Sequence, residues 1–97
     1  MDITLQYFDG CPNWLIADER LRLLAGERPD IVLGYQLIDT VDAAEQAGFH
    51  GSPTILVNGV DAFGDASAPV ALACRRYMTE AGPAGAPSLT QLSDALG

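Results

Sequence analysis

The chain reads as an α/β domain (α+β in some schemes), with a four-stranded mixed sheet, flanking helices and the order β-α-β-α-β-β-α. Three observations predict it. Ile3, Leu5 and Tyr7 alternate with Thr4 and Gln6, and a helix-spaced apolar stripe follows at once. Ile31–Ile38 is apolar almost throughout, as a strand covered on both faces would be. Asn58-Gly59 separates two short apolar segments, a strong signal for a tight hairpin.

Taken in order, the first strand runs from Ile3 to about Phe8 and is broken by Asp9-Gly10. Pro12 suits the first turn of a helix, where a missing N–H costs nothing. Trp14, Ala17, Leu21 and Leu24 then share one helical face, and Gly26 is the expected stop. After the strand Ile31–Ile38, Asp39 or Thr40 caps a short helix over Val41–Ala47, which Gly48 ends. Thr54–Val57 and Val60–Phe63 form the hairpin. Ser88-Leu89-Thr90-Gln91 has capping-box spacing, and Leu89, Leu92 and Leu96 give the last helix its apolar face. The Ala-, Gly- and Pro-rich stretch at about 64–87 reads as a loop-rich insertion of irregular structure. The expected strand order is 2-1-3-4, with the first three strands parallel and the fourth antiparallel, because two helical crossovers precede a direct hairpin.

Ninety-seven residues make one domain, and 48% hydrophobic against 19% charged content is enough to build a core. Thirteen acids face five bases, a net charge of -8, which disfavours nucleic acid and anionic membranes as partners. No apolar run approaches the ~20 residues of a membrane span. No basic patch precedes an apolar stretch at the N-terminus, so the expectation is a cytoplasmic protein without a signal peptide. Two cysteines and one histidine supply neither a disulfide scaffold nor a four-ligand zinc set, and no cofactor is expected.

The chemistry therefore rests on the thiols. Cys11 stands at the seam between the first strand and the first helix, at the carboxyl edge of the sheet, where α/β folds bind ligands. A helix N-terminus favours the thiolate, and Asp9 opposes it if its carboxylate faces the sulfur. The competing reading is a small buried hydrophobe. Cys74 has two readings as well: an ordinary buried thiol beside Leu72, Ala73 and Tyr77, or a redox partner of Cys11. Arg75 and Arg76 beside it would lower its pKa or bind an anion. His50 reads as a surface-loop residue and Trp14 as core.

Two motifs resemble the thioredoxin-like superfamily: Phe8-Asp9-Gly10-Cys11-Pro12-Asn13-Trp14 at the redox position, and Gly51-Ser52-Pro53-Thr54 opening the third strand. More narrowly, the chain is similar to short bacterial thioredoxin family proteins with Cys-Pro-x-Trp in place of Cys-x-x-Cys. The resemblance implies a cis Ser52–Pro53 bond facing Cys11, and a thiol–disulfide oxidoreductase or thiol-handling protein with Cys11 as nucleophile. Pro12, Trp14, Ser52 and Thr54 are the substrate-binding candidates around Cys11 and Pro53. Trp14 replaces the usual resolving cysteine, so resolution falls to Cys74 or to a second molecule. The expected partner is a protein or low-molecular-weight thiol or disulfide, aligned by strand addition beside the cis proline. Two other functions compete. One is a soft-metal or organomercurial handler using Cys11, Cys74 and Asp9, and the other is a non-catalytic binding module.

Overall fold

Strand β1 (Asp2–Tyr7) lies inside a four-stranded sheet of order β2-β1-β3-β4, flanked by β2 (Val32–Leu37) and β3 (Thr54–Val57), with β4 (Val60–Asp61) at the far edge. The computed structural model describes residues 1–64 and 69–97. Helices α1 (Trp14–Glu27) and α3 (Leu89–Leu96) bury their apolar stripes against one face of this sheet. There Ala17, Leu21, Leu24, Leu92 and Leu96 meet Ile3, Leu5 and Ile55. Helix α2 (Val41–Ala47) packs elsewhere, through Ala44 on Ile38 and Phe49, with Phe8 and Leu72 against them.

The expected strand order is present, but one direction is not. β1 and β2 are parallel, whereas β3 runs antiparallel to β1, with Gln6 opposite Thr54 and Ile3 opposite Val57. The reason is the position and length of α2. Its seven residues rise ~10 Å, about half the ~20 Å of a six-residue strand, so it does not carry the chain back to the start of the sheet. Ile38, Ala44 and Phe49 hold it at the carboxyl end of β2, and β3 enters from that end. The same placement corrects the expectation that β2 is covered on both faces. It is an edge strand, with Val32 63% and Tyr35 49% exposed, because α2 sits beyond its end and not over it.

Three smaller corrections follow from local chemistry. α1 continues past Gly26 to Glu27, and Pro29 sets its end by holding Arg28 extended (φ -125°, ψ 103°). Pro12 lies just ahead of α1, in an opening turn where its carbonyl accepts from the Leu15 amide (3.1 Å). The strand after Asn58-Gly59 stops at Asp61, where the Asp61 carboxylate accepts from the Phe63 amide (3.0 Å) and turns the chain.

The caps of α2 and α3 are where the sequence places them. Thr40 accepts from the Ala43 amide, Gly48 closes α2 in the left-handed region (φ 63°), and Ser88 with Gln91 forms a reciprocal capping box. The stretch at 64–87 is more ordered than expected. Tyr77–Thr79 (β5) and Gly82–Ala84 (β6) pair as a second, two-stranded sheet, and ahead of them Cys74 makes a single parallel bridge with Ser52 after bends at Leu72 and Ala73; residues 65–68 lie outside the described residues. Among the described residues there are three helices, and none is long and apolar enough to cross a membrane.

Candidate functional site

Cys11 follows the β1 turn, with its amide donating to the Phe8 carbonyl (3.0 Å), and its side chain is fully buried at the carboxyl end of β1. Helix α1 begins three residues later, so Cys11 stands ahead of the helix and not in its first turn. Its sulfur is bonded to that of Cys74, 63 residues away in sequence, with the two Cα atoms 5.5 Å apart. This separation lies in the middle of the range that disulfide geometry accepts. Cys74 is therefore neither buried nor a free thiol, which corrects the reading of it as an ordinary buried one. The partners differ in access, because Cys74 is exposed while Cys11 has no solvent contact.

The third member of the constellation is the turn before β3. The Ser52–Pro53 peptide is cis, and both residues are buried. The Ser52 carbonyl oxygen lies 3.8 Å from Cys11 Sγ. On its other side the Ser52 backbone pairs with the Cys74 segment: its amide donates to Ala73 (2.8 Å) and its carbonyl accepts from Arg75 (2.9 Å). Its buried hydroxyl has no hydrogen-bond partner among the described residues. Thr54 is buried too, donating its hydroxyl to the Gly51 carbonyl (2.6 Å). Pro12 is exposed at the rim of the turn, and Trp14 is half-buried, stacked on Tyr7 at 4.3 Å between ring centroids. Cys11, Ser52, Pro53 and Cys74 thus come together, while Trp14 serves the core and Thr54 the frame.

Two features of this frame have no counterpart in the sequence reading. The Tyr77 hydroxyl donates to the Pro53 carbonyl (2.5 Å), and its burial pushes its pKa well above the ordinary tyrosine range. The Arg75 guanidinium turns away from Cys74 to Asp61 (2.9 Å), the Thr54 hydroxyl (3.3 Å) and the Phe63 carbonyl (2.5 Å), over the Tyr77 ring. Arg75 is therefore engaged internally and does not offer its charge to an anion. Adjacency to Cys74 was the only sequence signal for it, and nothing in the pattern joins it to Asp61. His50 lies partly exposed, with Nδ1 3.2 Å from the Pro69 carbonyl, where it ties down the start of the Cys74 segment. Asp9 is exposed. Among the described residues, no three His, Cys, Asp or Glu side chains gather into a metal-binding group. Compared with known protein families, with curated proteins and with solved structures, the chain finds no match.

Proposed function

We propose that this chain is a thioredoxin-like thiol–disulfide exchange protein with Cys11 and Cys74 as its redox pair. One observation carries the reading: a cysteine at the seam of β1 and α1 is bonded to a cysteine on a segment paired beside cis-Pro53. The sheet order β2-β1-β3-β4 and the helices after β1 and β2 support the same kinship.

The difference in access orders the reducing direction. In the reducing direction, a low-molecular-weight thiolate attacks the exposed Cys74 sulfur and Cys11 leaves as a thiolate. A second thiolate then displaces Cys74 from the mixed disulfide, and two electrons have entered the pair. In the oxidising direction, the Cys11 thiolate attacks a substrate disulfide and one substrate sulfur departs as a thiolate. The Cys74 thiolate then attacks Cys11 Sγ, the second substrate sulfur leaves, and the Cys11–Cys74 bond re-forms. Protons from solvent complete the two substrate thiols.

A second reading has its own observation. Complete burial of Cys11 favours a disulfide that only staples a thioredoxin-like binding module. A soft-metal handler has no support among the described residues beyond the two thiols. The deciding experiment exposes reduced protein to oxidised glutathione, quenches with iodoacetamide and weighs the products. Exchange predicts a two-proton mass loss without dimer in the wild type, and a Cys11–glutathione adduct that persists in Cys74→Ser. If native Cys11 is alkylated only after denaturation, or the wild type yields only glutathionylated or dimeric species, the staple is the better reading.

A further inference from the structure

The backbone edge beside Cys11 is already occupied, and by the chain itself. Ala73, Cys74 and Arg75 lie along Ser52 as a short parallel bridge, joined by hydrogen bonds of 2.8 and 2.9 Å on either side of Cys74. Gly51 makes the approach possible. At φ +113°, a Cβ there would fall 2.9 Å from Arg75 Cβ and 3.2 Å from the Ala73 carbonyl oxygen. The residue after the cysteine is held most tightly, with the Arg75 and Asp61 side chains only 11% and 16% exposed. Asp61 gives the slot its negative charge, the Thr54 hydroxyl and Phe63 carbonyl supply further acceptors, and Tyr77 forms a wall. The Ala73 position, by contrast, is exposed. Most of the receiving groups belong to residues 51–63, and the groups received belong to residues 73–75. The arrangement is that of a strand-binding site with a strand in it.

We propose that this edge binds extended peptides of partner proteins in which arginine directly follows a cysteine, with Ala73–Arg75 as an internal occupant that yields once the Cys11–Cys74 bond is reduced. The proposal rests on the exchange reading above. A low-molecular-weight thiol reduces the pair, and the partner's peptide pairs with Ser52 and seats its arginine against Asp61. The Cys11 thiolate then attacks the partner's cysteine sulfur in a disulfide. The Cys11–partner bond forms, the partner's disulfide breaks, and the departing sulfur leaves with the electron pair and takes a proton from water.

The test uses the reduced double variant Cys74→Ala/Arg75→Ala, which lacks both side-chain anchors of the internal occupant. Two blocked tripeptides of equal charge and composition, Ala-Cys-Arg and Arg-Cys-Ala, are presented with the cysteine activated as a thionitrobenzoate disulfide. Absorbance follows thionitrobenzoate release, and mass identifies the Cys11 adduct. The expected result is a rate about tenfold higher for Ala-Cys-Arg, the scale of one charge-assisted hydrogen bond, and loss of that ratio when Asp61→Asn is added. Should the double variant not fold, Cys74→Ala alone, in which Arg75 competes for the slot, serves for the same comparison. Equal rates for the two tripeptides overturn the arginine slot while leaving the exchange reading intact. Failure of Cys11 in folded protein to react with either one overturns both.

Discussion

Tyr77 illustrates how single side chains hold this site. Its hydroxyl gives the cis-Pro53 carbonyl a buried partner, and its ring lies under the Arg75 guanidinium and edge-on to Phe63. Tyr77→Phe keeps the ring and orphans the carbonyl, so it is expected to destabilise the chain by about 1–3 kcal/mol in urea denaturation. A shift indistinguishable from zero would mean that water replaces the hydroxyl. At this scale the sequence was legible where one residue's chemistry suffices. Cys11 was marked by its place after a strand, Thr40 and Ser88 by their capping oxygens, and Pro53 by the motif around it. Tyr77, Asp61 and the slot for Arg75 were not, because each acquires its role from a partner 12–24 residues away. No periodicity encodes such a pairing.

The helices and strands separate into those that local rules determine and those that tertiary packing redirects. α3 begins with a complete capping box, Ser88 Oγ accepting from the Gln91 amide (3.1 Å) and Gln91 Oε1 accepting from the Ser88 amide (3.0 Å). Ser88→Ala is expected to cost about 1 kcal/mol of stability, measured by thermal or urea unfolding. A much larger loss would show that the Ser88 hydroxyl's bond to Glu80 also matters to the hairpin. β3 and β2 are the contrasting cases. Their spans were legible from apolar runs and turn residues, but direction and coverage depend on where α2 docks. That in turn depends on Phe49 and Ile38 burying Ala44 at the strand ends. The Cys74 segment was hardest to read, since it belongs to neither sheet, and among the described residues Ser52 alone pairs with it as a bridge.

For the molecule as a whole, the Cys11–Cys74 bond and one tyrosine proton each contribute to the stability. Closing a loop across 63 residues stabilises the fold by about 4 kcal/mol in the chain-entropy model. The reduced protein is therefore expected to unfold at distinctly lower urea concentration than the oxidised one, and equal midpoints would refute this. Tyr35 is half-exposed, but partial desolvation of its hydroxyl, together with the bond it donates to the Asp18 carboxylate, pushes its pKa up to about 12. The folded chain thus holds the proton more tightly than the unfolded chain, whose tyrosine ionises near pH ~10. This contribution is complete below about pH 10 and is lost as the pH climbs towards about 12. Unfolding free energy measured across that window should fall in the wild type and fall less steeply in Tyr35→Phe. Parallel slopes would assign the alkaline loss to other groups.

The same bond also divides the molecule mechanically. Ten residues precede Cys11 and twenty-three follow Cys74, and only these can be drawn out when an oxidised molecule is pulled by its ends. The chain between the cysteines is a closed covalent ring through which force passes directly from sulfur to sulfur, bypassing α1, β2, α2, β3 and β4. Reduction opens the ring and adds 63 residue steps of ~3.5 Å, roughly 220 Å of contour, to the extended molecule. Redox state is thereby written into length: under tension, a thiol that cuts the ring announces itself as a single abrupt lengthening, one molecule at a time.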